Sequence, residues 1–97
     1  MATYILLANF TDQGIRNVKE STKRAEAFRE MAKKLGVTVK EIYWTLGQYD
    51  VVVSLEAPDA ATVTALSLNL CALGNVRTQT LAAFSADEMD RILGKMT

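Results

Sequence analysis

LGQYDVVVSLEAPD, residues 46–59, is the stretch on which the fold turns. Gly47-Gln48, with glycine first, is the signature of a two-residue type II′ hairpin turn. The flanking segments, Val37 to Leu46 and Tyr49 to Ala57, are therefore predicted to pair as antiparallel strands. Pro58 cannot donate to a sheet ladder, and Asp59 can accept the first free N–H groups of a helix. Strand must give way to helix there. The same stretch poses a question of function, because Asp50 heads the apolar run Val51-Val52-Val53-Ser54-Leu55. A carboxylate in that position is either a structural clamp or a working group.

Reading outward, Tyr4 to Phe10 is apolar apart from Asn9 and reads as a strand buried on both sides. Thr11-Asp12 offers an N-cap for a short turn through Gly14. Ser21 or Thr22 is placed to cap a long helix whose Ala25, Phe28, Met31, Ala32 and Leu35 form one apolar stripe. Gly36 supplies its left-handed exit. The helix opened by Asp59 runs to Leu73 and is apolar nearly all round. After Gly74, Val76 to Phe84 reads as a fourth strand. Ser85 with Glu88 forms a capping box for a last short helix bearing Met89, Ile92, Leu93 and Met96. The order βαββαβ with an added C-terminal helix is the ferredoxin-like, α+β arrangement: a four-stranded antiparallel sheet with helices on one face.

The 97 residues make a single domain, residues 1–97, large enough for a core of its own. Formal net charge is zero, which argues against nucleic-acid and anionic-membrane binding. Eight of the eleven basic residues lie between Arg16 and Lys40, but Glu20, Glu26 and Glu30 stand one helical turn before many of them, the pattern of a solvated face. No apolar stretch reaches the length of a membrane span. The first residues run straight into a strand and are read as no signal peptide. Cys71 is the sole cysteine, which fits a reducing, cytoplasmic setting.

Strand alternation leaves a surplus. With Tyr4, Leu6, Ala8 and Phe10 toward the helices, Ile5 and Leu7 face away. Val51, Val53 and Leu55 point one way, and Val52 points the other with Asp50, Ser54 and Glu56. The pattern leaves the facing of Ile42, Trp44 and Leu46 open. A second sheet face with this much apolar surface is unusual on a monomer. We therefore expect a homodimer or higher homo-oligomer through the sheet face, with the C-terminal helix reaching toward the partner.

Five pieces carry a resemblance: Tyr4-Ile5-Leu6-Leu7, Thr11-Asp12-Gln13-Gly14-Ile15, Gly47-Gln48-Tyr49-Asp50, Ala57-Pro58-Asp59 and Gly74-Asn75-Val76-Arg77-Thr78. Together they resemble the GYD domain family and, through it, the dimeric α/β-barrel superfamily. The resemblance implies a fold and an assembly, and it brings no catalytic residues with it.

The chain has no histidine, so the commonest general base, metal ligand and haem ligand is missing. No cofactor and no metal site are expected. Cys71, between Leu70 and Ala72, reads as a buried helical thiol. Asp50 is the one catalytic candidate, as a carboxylate with a raised pKa. Its structural alternative is to accept backbone N–H groups or to pair with Arg77. Asn9, Trp44, Tyr49, Asp50 and Arg77 form the candidate ligand-binding set: a polar group in an apolar strand, two aromatics at the hairpin, and a possible ion pair. The leading expectation is a homo-oligomeric small-molecule-binding domain. The alternatives are a cofactor-independent, monooxygenase- or isomerase-like enzyme and a structural or partner-binding module.

Overall fold

The computed structural model describes residues 1–97. Its elements are β1 (Ala2–Phe10), α1 (Asp12–Arg16), a 3-10 turn (Val18–Glu20), α2 (Ser21–Lys34), β2 (Thr38–Trp44), β3 (Val51–Ala57), α3 (Ala60–Ala72), β4 (Val76–Ala83) and α4 (Ala86–Leu93). The four strands form one antiparallel sheet in the order β2-β3-β1-β4. This is the expected ferredoxin-like topology. It sets β1, the strand apolar on both faces, in the interior of the sheet between β3 and β4.

Alternation then decides the core. Tyr4, Leu6 and Ala8 of β1 pack with Val53, Leu55 and Ala57 of β3, and α2 and α3 cover them with Phe28, Ala32, Val63 and Leu66. Leu6, Leu55 and Leu66 are completely buried. Arg29 adds a polar tie between layers, its guanidinium donating to the Val39 carbonyl at 3.3 Å.

The helix starts follow their caps. Thr11 Oγ1 accepts from Gly14 N–H, and Asp59 accepts from the N–H of Thr62. Ser85 and Glu88 close a reciprocal capping box at α4. Hydrogen bonds from Thr62 hold the Asp59 carboxyl below its usual pKa, and those from Ser85 do the same for Glu88. At α2 the expectation fails. Ser21 is the first helical residue, Glu20 holds the N-cap position, and no side chain caps the helix. The 3-10 turn runs directly into α2, so the incoming chain is already wound where a cap would stand.

The hairpin tip also differs from the two-residue turn. Gly47 does take a positive φ of 136°. However, the last main-chain bond of the hairpin runs from Thr45 N–H to the Asp50 carbonyl, leaving 46–49 as a longer tip. The Thr45 hydroxyl holds the Tyr49 carbonyl at 2.5 Å, and Asp50 N–H turns to Ala8 of β1 instead of back toward β2. Leu46 is left fully exposed at the tip.

α1 sits hard against the loop between α3 and β4. Thr11 donates from its N–H to the Asn75 carbonyl and from its hydroxyl to the Gly74 carbonyl. A Cβ on Gly14 would lie 1.9 Å from the Asn75 carbonyl oxygen, so the approach admits only glycine.

Candidate functional site

The candidate residues occupy two places. At the β3 end beside the hairpin, Asp50 ties three strands together. Its N–H donates to the Ala8 carbonyl at 2.9 Å, and its carbonyl accepts from Thr45 N–H at 2.8 Å. Its Oδ2 accepts from Phe10 N–H at 2.9 Å. The backbone of β3 bends away at this point, and the carboxylate replaces the main-chain acceptor that β1 would otherwise lack. A half-buried N–H left without a partner would cost about 1–3 kcal/mol.

Asn9, Tyr49 and Arg77 surround that clamp on the sheet face away from the helices. Asn9 Nδ2 donates to the Gln48 carbonyl at 2.7 Å. The Tyr49 hydroxyl donates to Gln79 Oε1 at 3.0 Å, crossing over β1 to reach β4. Arg77 stands opposite Asn9 in the β1–β4 register and is exposed. Its pairing with Asp50, one of the two structural alternatives, does not form: the ion pairs are Lys23–Glu20, Lys33–Glu30 and Lys40–Glu56. The first two are the one-turn helix pairs expected of a solvated α2 face.

Trp44 lies on the other side of the sheet. A register shift between Val39 and Glu41 inserts an extra residue in β2, so Ile42 pairs with Val53 and Trp44 with Val51, both on the helix side. Trp44 there stands at the mouth of a cleft of about 130 Å³ between α2, α3 and the sheet. Phe10, Phe28, Met31, Ile42 and Val51 contribute to its apolar wall, and Arg24 is its only charged lining residue.

Arg24 is held in place by the end of α1. Its guanidinium donates to the carbonyls of Asn17 at 2.8 Å and Gly14 at 3.2 Å, where helix-end carbonyls favour a cation. It also lies 5.8 Å from the centre of the Phe10 ring. The cleft residues Phe28 and Met31 were visible in the sequence only as a core stripe. Arg24, four residues before Phe28, was the sign that one end of this stripe opens to water.

Cys71 is half-buried, with Sγ 3.3 Å from Thr78 Oγ1, rather than fully enclosed. No cluster of three or more His, Cys, Asp or Glu side chains is arranged to hold a metal ion. No helix is long and apolar enough to cross a membrane.

If Asp50 serves as an acceptor for Phe10 N–H, Asp50→Ala should lower stability by about 1–3 kcal/mol in chemical denaturation. Asp50→Asn, which keeps an oxygen at the same place, should cost less than half as much. Equal losses in the two variants would show that the charge, and not the acceptor, is what the site needs.

The same chain features recur in known proteins. The glutamine synthetase and cystathionine beta-lyase binding protein of Thermus thermophilus is 38% identical over 90 residues, covering 92% of this chain and 95% of that protein. The crystal structure of TTHA0845, also from Thermus thermophilus, matches with a TM-score of 0.58 at 27% identity, over 89% of this chain and 96% of its own. The GYD domain model spans residues 4–93, and the chain belongs to the GYD domain family.

Proposed function

We propose that this chain is a binding module that engages a partner protein through the cleft between α2, α3 and the sheet. The observation that carries this reading is an apolar cleft left open to solvent, with Trp44 45% exposed at its mouth. Tryptophan in such a position is a typical anchor of protein interfaces. Arg24 at the rim favours a partner that brings an acidic group to the cleft. The Thermus thermophilus relative is named for binding two enzymes, which fits a module whose partner is itself an enzyme. Asp50 carries no reaction in this account, since its carboxylate is engaged by a backbone amide.

The module acts as a homo-oligomer in this reading. The sheet face away from the helices presents Ile5, Leu7 and Val52, with Leu81 and Tyr43 more exposed beside them. A second copy laid on it would remove that apolar surface from water.

A second reading, that the cleft takes a small molecule, draws on its size. A cavity of about 150 Å³ lined by aliphatic and aromatic side chains can hold benzene, and this one is about 130 Å³. Typical ligand sites are larger, roughly 300–1,000 Å³. The space suits one ring or one side chain, with the Arg24 guanidinium available to a carboxylate.

With purified glutamine synthetase and cystathionine beta-lyase as probes, titration calorimetry should show binding to at least one of them. Trp44→Ala should weaken that binding at least tenfold while leaving the far-UV circular dichroism unchanged. No binding to either enzyme, or full affinity in Trp44→Ala, would contradict the partner reading. For the small-molecule reading, benzoate and short branched carboxylates are the probes. One present at 100 times its Kd should add about 2.7 kcal/mol of stability in a thermal melt. No shift with any of them would reject that reading.

A further inference from the structure

The two edges of the sheet are unlike. β2 is protected in the usual ways: a bulge between Val39 and Glu41, two charged residues in Lys40 and Glu41, and the Lys40–Glu56 ion pair at 3.0 Å. β4, Val76-Arg77-Thr78-Gln79-Thr80-Leu81-Ala82-Ala83, has no bulge, no proline and a single charge. An edge of this kind is a template for another strand.

Hydrogen-bond phase shows which groups it offers. Ala8 and Phe10 turn their main-chain groups toward Asp50 on the β3 side. In an antiparallel ladder the alternate residues Thr3, Ile5, Leu7 and Asn9 then face β4, as Thr11 N–H does in bonding the Asn75 carbonyl. Their register partners are Ala83, Leu81, Gln79 and Arg77. The N–H and C=O groups of Thr78, Thr80 and Ala82 therefore point outward, and no side chain or loop in the chain bonds them.

We propose that this edge pairs antiparallel with β4 of a second copy, about a two-fold axis near Thr80. Several features select a second copy as the occupant. In that register Thr78 meets Ala82 and Thr80 meets its own counterpart, so each outward group finds a complementary one. Arg77 meets Ala83, so no like charges oppose. Val76 comes opposite Phe84, which is 59% exposed in the single chain.

The same operation sets α3 beside α3 of the second copy over the joined sheet. That arrangement accounts for an exposure that one copy leaves unexplained. Leu68, the large apolar residue of α3 beside this edge, is 65% exposed in the single chain. Along α3 a mostly polar groove of about 240 Å³, bounded by Thr64, Ser67 and Leu68 on the helix and by Arg77, Thr78 and Thr80 on the strand, runs beside this edge. A second α3 would close it. This interface uses the strand edge and is separate from the sheet-face contact proposed above.

Amide hydrogen exchange on the uniformly labelled chain, followed by NMR, reads the edge directly. In a lone subunit the outward amides of Thr78, Thr80 and Ala82 should exchange far faster than those of Arg77, Gln79 and Leu81, which bond to β1. Edge pairing predicts protection within tenfold of those neighbours, and a larger difference would overturn it. Thr80→Pro removes one outward N–H and spares the ladder to β1. It should release protection at Thr78 and Ala82, whereas the sheet-face variant Val52→Lys should leave it intact. Retained protection in a folded Thr80→Pro chain would also overturn the proposal. If Thr80→Pro fails to fold, the wild-type exchange pattern decides alone.

Discussion

A strand that is apolar on both faces has to lie inside a sheet with both faces covered, and β1 is such a strand. The helices of one chain can cover only one side of it. Leu6 and Ala8 vanish beneath α2 and α3, while Ile5 and Leu7 stay half-buried on the far side. At roughly 25 cal/mol per Å² of apolar surface, a few hundred Å² left in water is worth several kcal/mol to any surface that covers it. The proposed assembly through the sheet face follows from that imbalance.

Asp50 links that strand to the cleft on the helix side. Its carboxylate keeps β1 bonded where β3 turns aside, and Thr45 holds the hairpin from the other strand. Val51, next in sequence, pairs with Trp44 and lines the cleft. The clamp thereby fixes the strand ends that carry Phe10, Trp44 and Val51. Arg24 closes the opposite rim through α1, whose tight seat on the Asn75 loop depends on the bare backbone of Gly14. The acid that opens the Val-Val-Val run acts on chemistry no further away than its neighbouring backbone, yet it places the side chains that a partner would meet.

Most of the architecture could be read in advance because its signals are local. Pro58-Asp59 ends a strand and caps a helix, Ser85 with Glu88 closes a capping box, and Tyr4 to Phe10 is a short apolar run of strand length. The features that could not be read depend on contacts distant in sequence. Trp44 changes face because of the extra residue between Val39 and Glu41, and nothing in Val-Lys-Glu announces a bulge. The hairpin tip lengthens because Asp50 is drawn to β1, some forty residues away. The candidate set consequently divides, with Asn9, Tyr49, Asp50 and Arg77 on one side of the sheet and Trp44 on the other. The spacing of Arg24 before Phe28 marks the open end of the stripe, but the carbonyls of Gly14 and Asn17 that hold its guanidinium are brought to it only by the fold.

Sedimentation equilibrium at low micromolar concentration tests most directly whether the second sheet face is covered by another copy. The account predicts a mass of at least twice the 10.7 kDa chain, falling when Val52→Lys places a charge in the middle of that face. A wild-type chain that sediments as a single 10.7 kDa species, or an assembly indifferent to the lysine, would contradict it.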